Sequence, residues 1–178
     1  LAITSGYSAP MFLVAHLPPP QTQATLCIGR DWHYFPSHFL LPTGNAKWKV
    51  EFLKSNFEGQ LPGKFADRVG IVSATRMAVN KFNDMNQEES DRFIELSKCD
   101  FILDRVSPPG KNEVQYSDDT KSWKVLLERH ILDRPAENAS YSDHGLRKLF
   151  STLKRAFYIP FLFTKDNKWI NMHILRKL

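Results

Sequence analysis

The sequence predicts an α/β domain with a mixed, partly parallel sheet, flanking short helices and a C-terminal antiparallel hairpin. Short strand candidates alternate with helical or turn segments over the first two-thirds of the chain, which favours parallel pairing. Two apolar runs near the C-terminus enclose a short polar turn, which favours an antiparallel addition. The 178 residues suit one domain, and a hydrophobic content of 42% supplies side chains for its core.

The first half of the chain contains two strand candidates and their covering segments. A helix is expected over residues 10–16, because three prolines follow at 18–20. Residues 24–28 form a short buried strand that ends at a glycine. Residues 47–53 alternate apolar and charged side chains, so they predict a strand with one wet face. Residues 31–41, between the two strand candidates, are expected to form a short helix or turn over the sheet. Residues 56–64 are expected to form a loop.

The second half adds helices and three further strand candidates. The run at 100–106 is the clearest buried strand, and it ends at a Pro-Pro-Gly turn. Residues 156–163 and 169–175 are expected to form the hairpin, with Pro160 at an edge. Helices are expected over residues 88–98 and 143–153. A further helix is expected to be capped by Asp118 or Asp119 and to carry Trp123, Leu126 and Leu127.

Composition and motifs exclude several classes of function. The formal charge is +5, but the basic residues are scattered and are not interleaved with aromatic residues, so a nucleic-acid partner is not expected. The sequence contains no GxSxG, Walker A, GxGxxG or HExxH pattern, and its six histidines occur singly. No metal site is therefore expected. No apolar run is long enough to span a bilayer.

The strongest binding candidates follow the first strand. Arg30, Trp32 and Tyr34 come just after a glycine that ends this strand, where α/β folds place binding sites. Aromatic faces beside hydrogen-bonding groups suit sugar recognition, while the alternative is that Trp32 and Tyr34 fill the gap between helix and sheet. Gln60 in a Gly-Gln-Leu-Pro turn is a further polar candidate, or it satisfies the backbone of its own turn. Asp104, at the end of a strand, either joins a carboxylate site or caps a turn.

Two cysteines and a glycosylation triplet give information on the cellular compartment of the protein. The chain has two cysteines, Cys27 and Cys99, which either form a disulfide in an oxidising compartment or remain buried thiols in a reducing one. Asn138-Ala139-Ser140 is an acceptor triplet for N-glycosylation in a polar stretch. The residues alone leave both alternatives open.

Five blocks of the sequence, in order, resemble a known enzyme family. They read CIGRDWHYFPSHFLLP, FLKSNFEGQLPGKF, NQEESDRFIELSKCDFILD, LKRAFYIPFL and NMHILRKL. The series is similar to the C-terminal lumenal region of the asparagine-linked glycosylation α-1,2-mannosyltransferases of the endoplasmic reticulum, over residues 25–175. These are multi-spanning, inverting glycosyltransferases of the GT-C type.

The resemblance implies a function for the full-length enzyme. It would transfer mannose from dolichyl-phosphate mannose to the dolichyl-pyrophosphate-linked oligosaccharide. The catalytic acidic residue of the family lies in the first lumenal loop, which is not in this sequence, so the fragment is expected to be inactive alone and to hold no cofactor. A carboxylate in such an enzyme acts as general base on the acceptor hydroxyl while the lipid phosphate leaves.

The resemblance also implies an arrangement at the membrane. Residues 1–20 would lead in from the last membrane helix along the lumenal membrane surface, and 21–178 would form a single lumenal domain that packs over the membrane core of the enzyme. Lumenal placement implies a Cys27–Cys99 disulfide and makes Asn138 a credible glycan site.

Arg30, Trp32, Tyr34 and Gln60 would then be contacts of the acceptor glycan. The alternative is a structural or interaction domain of the same enzyme without sugar contact. A free-standing glycosyltransferase or lectin would need a motif such as DxD, which the sequence lacks.

Overall fold

The computed structural model describes residues 6–35, 37–44, 47–63, 72, 85–108, 110, 113–133 and 169–178. This part of the chain contains helix α1 (Ala9–Ala15) and five strands: β1 (Ala24–Ile28), β2 (Trp48–Phe52), β3 (Phe101–Val106), β4 (Trp123–Leu132) and β5 (Trp169–Lys177). Short 3-10 turns connect several of them. No helix among these residues is both long enough and apolar enough to cross a bilayer.

The five strands form one mixed sheet in the order β2-β1-β3-β5-β4. Strand β1 is parallel to both of its neighbours. In this register Leu26 lies opposite Val50 of β2 and Phe101 of β3. Strand β5 is antiparallel to both β3 and β4. The α/β class, the partly parallel sheet and an antiparallel strand pair at the C-terminus are thus confirmed, but β5 pairs with β3 and β4 and not with the predicted partner 156–163. The carboxyl ends of β1, β2 and β3 consequently meet at one edge of the sheet.

Apolar side chains cover both faces of the sheet. Helix α1 packs on one face and buries Leu13 and Val14 completely in the main cluster, together with Leu26 and Ile174. A smaller cluster on the other face contains the disulfide and Ile102. Helix α1, expected to lead in from a membrane helix, is therefore part of the core of the sheet. The boundary at residue 20 stays a prediction.

The predicted helix carrying Trp123, Leu126 and Leu127 is wrong, because these residues belong to β4. The register of β4 against β5 shifts between Val125 and Leu127. Such a bulge inserts one extra residue into a strand and interrupts the alternation of its two faces. As a result, apolar residues fall at helical spacing within a strand.

The predicted helix over residues 88–98 is also wrong. The segment forms two 3-10 turns, Ser90–Arg92 and Leu96–Lys98. Between them Phe93 pairs with Phe52 at the end of β2, and the Ile94 N–H donates to the Phe52 carbonyl over 3.0 Å. Pairing with an edge strand satisfies backbone groups that a helix would otherwise satisfy internally.

Strand β2 corresponds to the predicted strand at 47–53, but the residues of its charged face are not all exposed to solvent. Lys49 is exposed, whereas Glu51 is only 2% exposed. The two form an ion pair, with Lys49 Nζ 3.0 Å from Glu51 Oε1. A carboxylate of this kind is buried because a cation accompanies it. The predicted helix at 143–153 and the predicted strand at 156–163 lie outside the described residues.

Candidate functional site

A buried ion pair closes the carboxyl ends of β1 and β3. Arg30 follows β1 and is 5% exposed, and Asp104 of β3 is 4% exposed. The Arg30 Nε lies 3.4 Å from Asp104 Oδ1, and the Arg30 backbone N–H donates to the same oxygen over 3.2 Å. The guanidinium also donates to the Ser107 carbonyl at 2.8 Å, to Gln115 Oε1 at 2.7 Å and to the Arg105 carbonyl. Arg30 therefore ties β1 to β3 and to the loop that follows β3.

The next residue of each segment forms a second ion pair with the charges reversed. Asp31 pairs with Arg105, and both side chains are partly buried. The segment after β1 and strand β3 thus each contribute one cation and one anion to a double cross-link. Gly29 makes the close approach possible, because a Cβ at this position would lie 2.6 Å from Asp104 Oδ1. The crevice in which α/β folds commonly bind ligands is filled here by protein groups.

Burial shifts the pKa values of two groups near this edge. It raises the pKa of Asp104 to about 6, against the opposing effect of the positive charge on Arg30. It also raises the pKa of Tyr116 to about 12, and the negative charge of Asp104 adds to that shift. Both shifts follow from loss of hydration in the closed site.

Trp32 and Tyr34 lie on a short 3-10 turn, Trp32–Tyr34, directly after the ion pairs. Both are partly buried and pack against the main apolar cluster. The Trp32 ring lies 5.4 Å from the ring of Phe57, which belongs to the same loop as Gln60. The structure therefore brings the two predicted candidate segments into contact through a residue that the sequence did not single out.

Gln60 is linked to an acidic side chain and through it to an arginine. Its amide Nε2 donates to Glu89 Oε1 at 3.0 Å, and its backbone N–H donates to Asn86 Oδ1 at 3.0 Å. The second Glu89 oxygen accepts the Nε of Arg92 at 2.7 Å. Gln60 thus holds Glu89 in the orientation that fixes Arg92.

Arg92 opens onto a groove of about 550 Å³ beside the edge strand, which we call the β2 groove. Its walls come from both faces of β2 and from the turns beside it, including Phe35, His38, Trp48 and Phe52. The Phe35 and His38 rings meet edge to face at 5.2 Å. The Trp48 ring is held edge to face against Phe101 at 5.4 Å, and its indole N–H donates to the Pro42 carbonyl at 3.1 Å. A volume of this size is typical of small-molecule sites, which span roughly 300–1,000 Å³.

The charged groups of the β2 groove are largely compensated. The Lys49 ammonium is paired with the buried carboxylate of Glu51, and Arg92 is paired with Glu89. Lys47, which is exposed, is the remaining lysine of the lining. Aromatic side chains and compensated polar groups therefore make up most of the wall. Such a surface suits a neutral, hydroxyl-rich ligand better than a multiply charged anion.

The remaining predicted residues divide into two groups. Cys27 and Cys99 form the disulfide implied by the family resemblance, with their Cα atoms 5.7 Å apart. Asn138 lies outside the described residues. Acidic, histidine and cysteine side chains of the described residues form no group of three or more that could hold a metal ion.

The β2 groove was not predicted from the sequence. Its lining residues extend from Gln23 to Arg92 and form no motif. The available signal was the alternation of Trp48, Val50 and Phe52 with the charged residues Lys49 and Glu51, which predicted a strand with one solvent-exposed face but no groove. That β2 lies at the edge of the sheet follows only from the strand order.

Comparison with known proteins identifies similar chains over almost the full length. Alpha-1,2-mannosyltransferase ALG9 of Mus musculus and its Homo sapiens counterpart are each 35% identical over 191 residues, covering 99% of this chain. The Saccharomyces cerevisiae protein of the same name is 30% identical over 76% of the chain. The chain spans 28% of the length of the mouse and human proteins. No protein-family model and no solved structure matches significantly. The resemblance noted in the sequence is thus confirmed, and the chain is homologous over almost its whole length to one region of the alpha-1,2-mannosyltransferase ALG9 proteins.

Proposed function

We propose that the chain is the lumenal C-terminal region of an α-1,2-mannosyltransferase of the endoplasmic reticulum membrane. The full-length enzyme would transfer mannose from dolichyl-phosphate mannose to the dolichyl-pyrophosphate-linked oligosaccharide. The observation that carries this proposal is the 35% identity over 99% of the chain to proteins named alpha-1,2-mannosyltransferase. The disulfide supports the lumenal side, because disulfides persist in oxidising compartments.

The chain contributes to acceptor binding in this proposal and not to the chemical step. Asp104 and Glu51 are both buried carboxylates, and they are engaged by Arg30 and Lys49. A general base must reach the acceptor hydroxyl, and carboxylates held in internal ion pairs are poorly suited to that role. We therefore assign the base to another part of the full-length enzyme and expect the isolated chain to be inactive.

Trp32, Tyr34 and Gln60 remain proposed determinants of acceptor binding. Trp32 and Tyr34 present partly exposed rings, and Gln60 acts on the β2 groove through Glu89 and Arg92. Arg30 is a positioning residue in this proposal, because several protein acceptors already surround its guanidinium group.

A second candidate function is mechanical support without sugar contact. It is favoured by the double ion pair, which stiffens the carboxyl ends of β1 and β3 in the place where a ligand crevice is expected. In this alternative the region braces the membrane core or docks a neighbouring protein.

Substitution in the full-length enzyme separates the two candidates. Trp32→Ala and Gln60→Ala are introduced in cells, and the lipid-linked oligosaccharides are profiled together with the amount of enzyme. Accumulation of incompletely mannosylated precursor at normal enzyme abundance supports acceptor binding. A normal profile with normal abundance contradicts it and favours the bracing function.

A further inference from the structure

We infer that the β2 groove is a binding subsite for the mannose-rich arm of the acceptor oligosaccharide. This inference rests on the proposed function and names the surface that carries it. The site lies along β2, the outer strand of the sheet, and its lining does not include the candidate Arg30.

The aromatic side chains of the groove suit a sugar ring. Trp48 is partly exposed, and its orientation is fixed by the hydrogen bond to Pro42 and by the edge-to-face contact with Phe101. An aromatic ring that is already fixed binds with little loss of side-chain entropy. The C–H groups of a pyranose carry partial positive charge, which is attracted to the electron-rich face of such a ring. Phe35 and His38 form a second aromatic pair on the wall.

The electrostatics favour a neutral ligand. Binding of a phosphate group requires several cations that are not already neutralised. Among the described residues the groove offers one such lysine, Lys47, because Lys49 is paired with Glu51 and Arg92 with Glu89. These same groups still offer N–H donors and carboxylate acceptors in fixed positions, which sugar hydroxyls use. A lipid headgroup or a pyrophosphate is therefore a poorer match than an oligosaccharide.

Steady-state kinetics of the full-length enzyme tests the inference. The probes are dolichyl-phosphate mannose and the natural lipid-linked acceptor oligosaccharide, each varied at saturation of the other. Trp48→Ala is expected to raise the KM for the acceptor about 10-fold, and the exposed His38→Ala about 3-fold, with unchanged kcat and donor KM. The control is Phe39→Ala, because Phe39 is adjacent to His38, is 91% exposed and does not line the groove.

The outcomes distinguish the inference from the proposed function. If the unsubstituted enzyme transfers no mannose, the proposed function fails and the inference fails with it. If the enzyme is active but Trp48→Ala and His38→Ala leave the acceptor KM unchanged, only the inference is overturned. Equal changes in donor and acceptor KM, or the same change in Phe39→Ala, also overturn it. Because Trp48 contributes to packing, a fall in enzyme amount for Trp48→Ala leaves His38→Ala as the deciding variant.

Discussion

The guanidinium group of Arg30 is bound to the carboxylate of Asp104, which lies 74 residues later in the chain, with Nε 3.4 Å from Oδ1. The contact joins two parallel strands at their carboxyl ends. It is enclosed by the Ser107 carbonyl and Gln115, so both charges are held almost free of water. The stability of the chain should therefore depend on this edge of the sheet and on the disulfide on its second face.

Asp104→Ala should destabilise the chain strongly. The substitution leaves the guanidinium group of Arg30 buried without its carboxylate, and removal of one partner of a buried pair costs about 3–5 kcal/mol. Denaturant unfolding at pH 7 measures the loss. Asp91→Ala serves as the control, because the exposed Asp91 carboxylate lies 3.8 Å from Arg92, which keeps its 2.7 Å pair with Glu89; loss of an exposed carboxylate of this kind costs about 0–1 kcal/mol. Equal losses for the two variants would refute a dominant role for the buried pair.

The stability of the chain should depend on the protonation of Asp104. Burial raises its pKa to about 6 from 3.8, so the folded state binds the proton more tightly than the unfolded state. The stabilising contribution of protonation is therefore complete below about pH 4 and is lost as the pH rises through 6. Relative to Asp104→Asn, the unfolding free energy should fall by about 2 kcal/mol between pH 4 and pH 7. A relative increase over this range would show that Arg30 instead lowers the pKa.

Gly29→Ala should destabilise the fold through a steric clash. The new Cβ would lie 2.6 Å from Asp104 Oδ1, and the ion pair prevents the carboxylate from moving away. Overpacking of this kind costs about 1–3 kcal/mol. Gly110→Ala is the matched control, because its Cβ meets the amide end of the exposed Asn56, which can rotate away. Similar unfolding curves for the two variants would contradict the proposed rigidity of the Arg30–Asp104 site.

Loss of the disulfide should weaken the second face of the sheet. Cys27 and Cys99 are 72 residues apart, and a cross-link over a loop of this length contributes about 4 kcal/mol in the chain-entropy description. The double variant Cys27→Ala/Cys99→Ala should unfold at lower denaturant concentration than the oxidised chain. Reduction of the unsubstituted chain should have the same effect. Non-reducing peptide mapping that finds both thiols free would rule out the cross-link.

Local sequence signals predicted much of the parallel part of the sheet. The run at 24–28 coincides with β1, and the runs at 47–53 and 100–106 contain β2 and β3, because continuous or alternating apolar runs bounded by turns are typical of strands. Strand β4 was missed because the bulge between Val125 and Leu127 gives its apolar residues helical spacing. The segment 88–98 was misassigned because its pairing with Phe52 depends on a residue more than 30 positions away.

The candidate site was predicted less completely than the fold. The position of Arg30 after β1 was evident in the sequence, but its burial depends on Asp104, which only the pairing of β1 with β3 brings near. Gln60 was predicted as a turn residue or a ligand contact, and its partner Glu89 lies 29 residues away. The β2 groove depends on strand order and on three separate turns, so no local pattern indicated it.

Photo-crosslinking of the acceptor tests most directly whether this region contacts the glycan. A lipid-linked oligosaccharide with a photoreactive group on its mannose arm is irradiated with the full-length enzyme, and the labelled peptides are mapped. Binding in the β2 groove predicts label within residues 35–52 that excess unlabelled acceptor removes. Label confined to other parts of the enzyme, at undiminished transferase activity, would contradict a glycan-binding role for this groove.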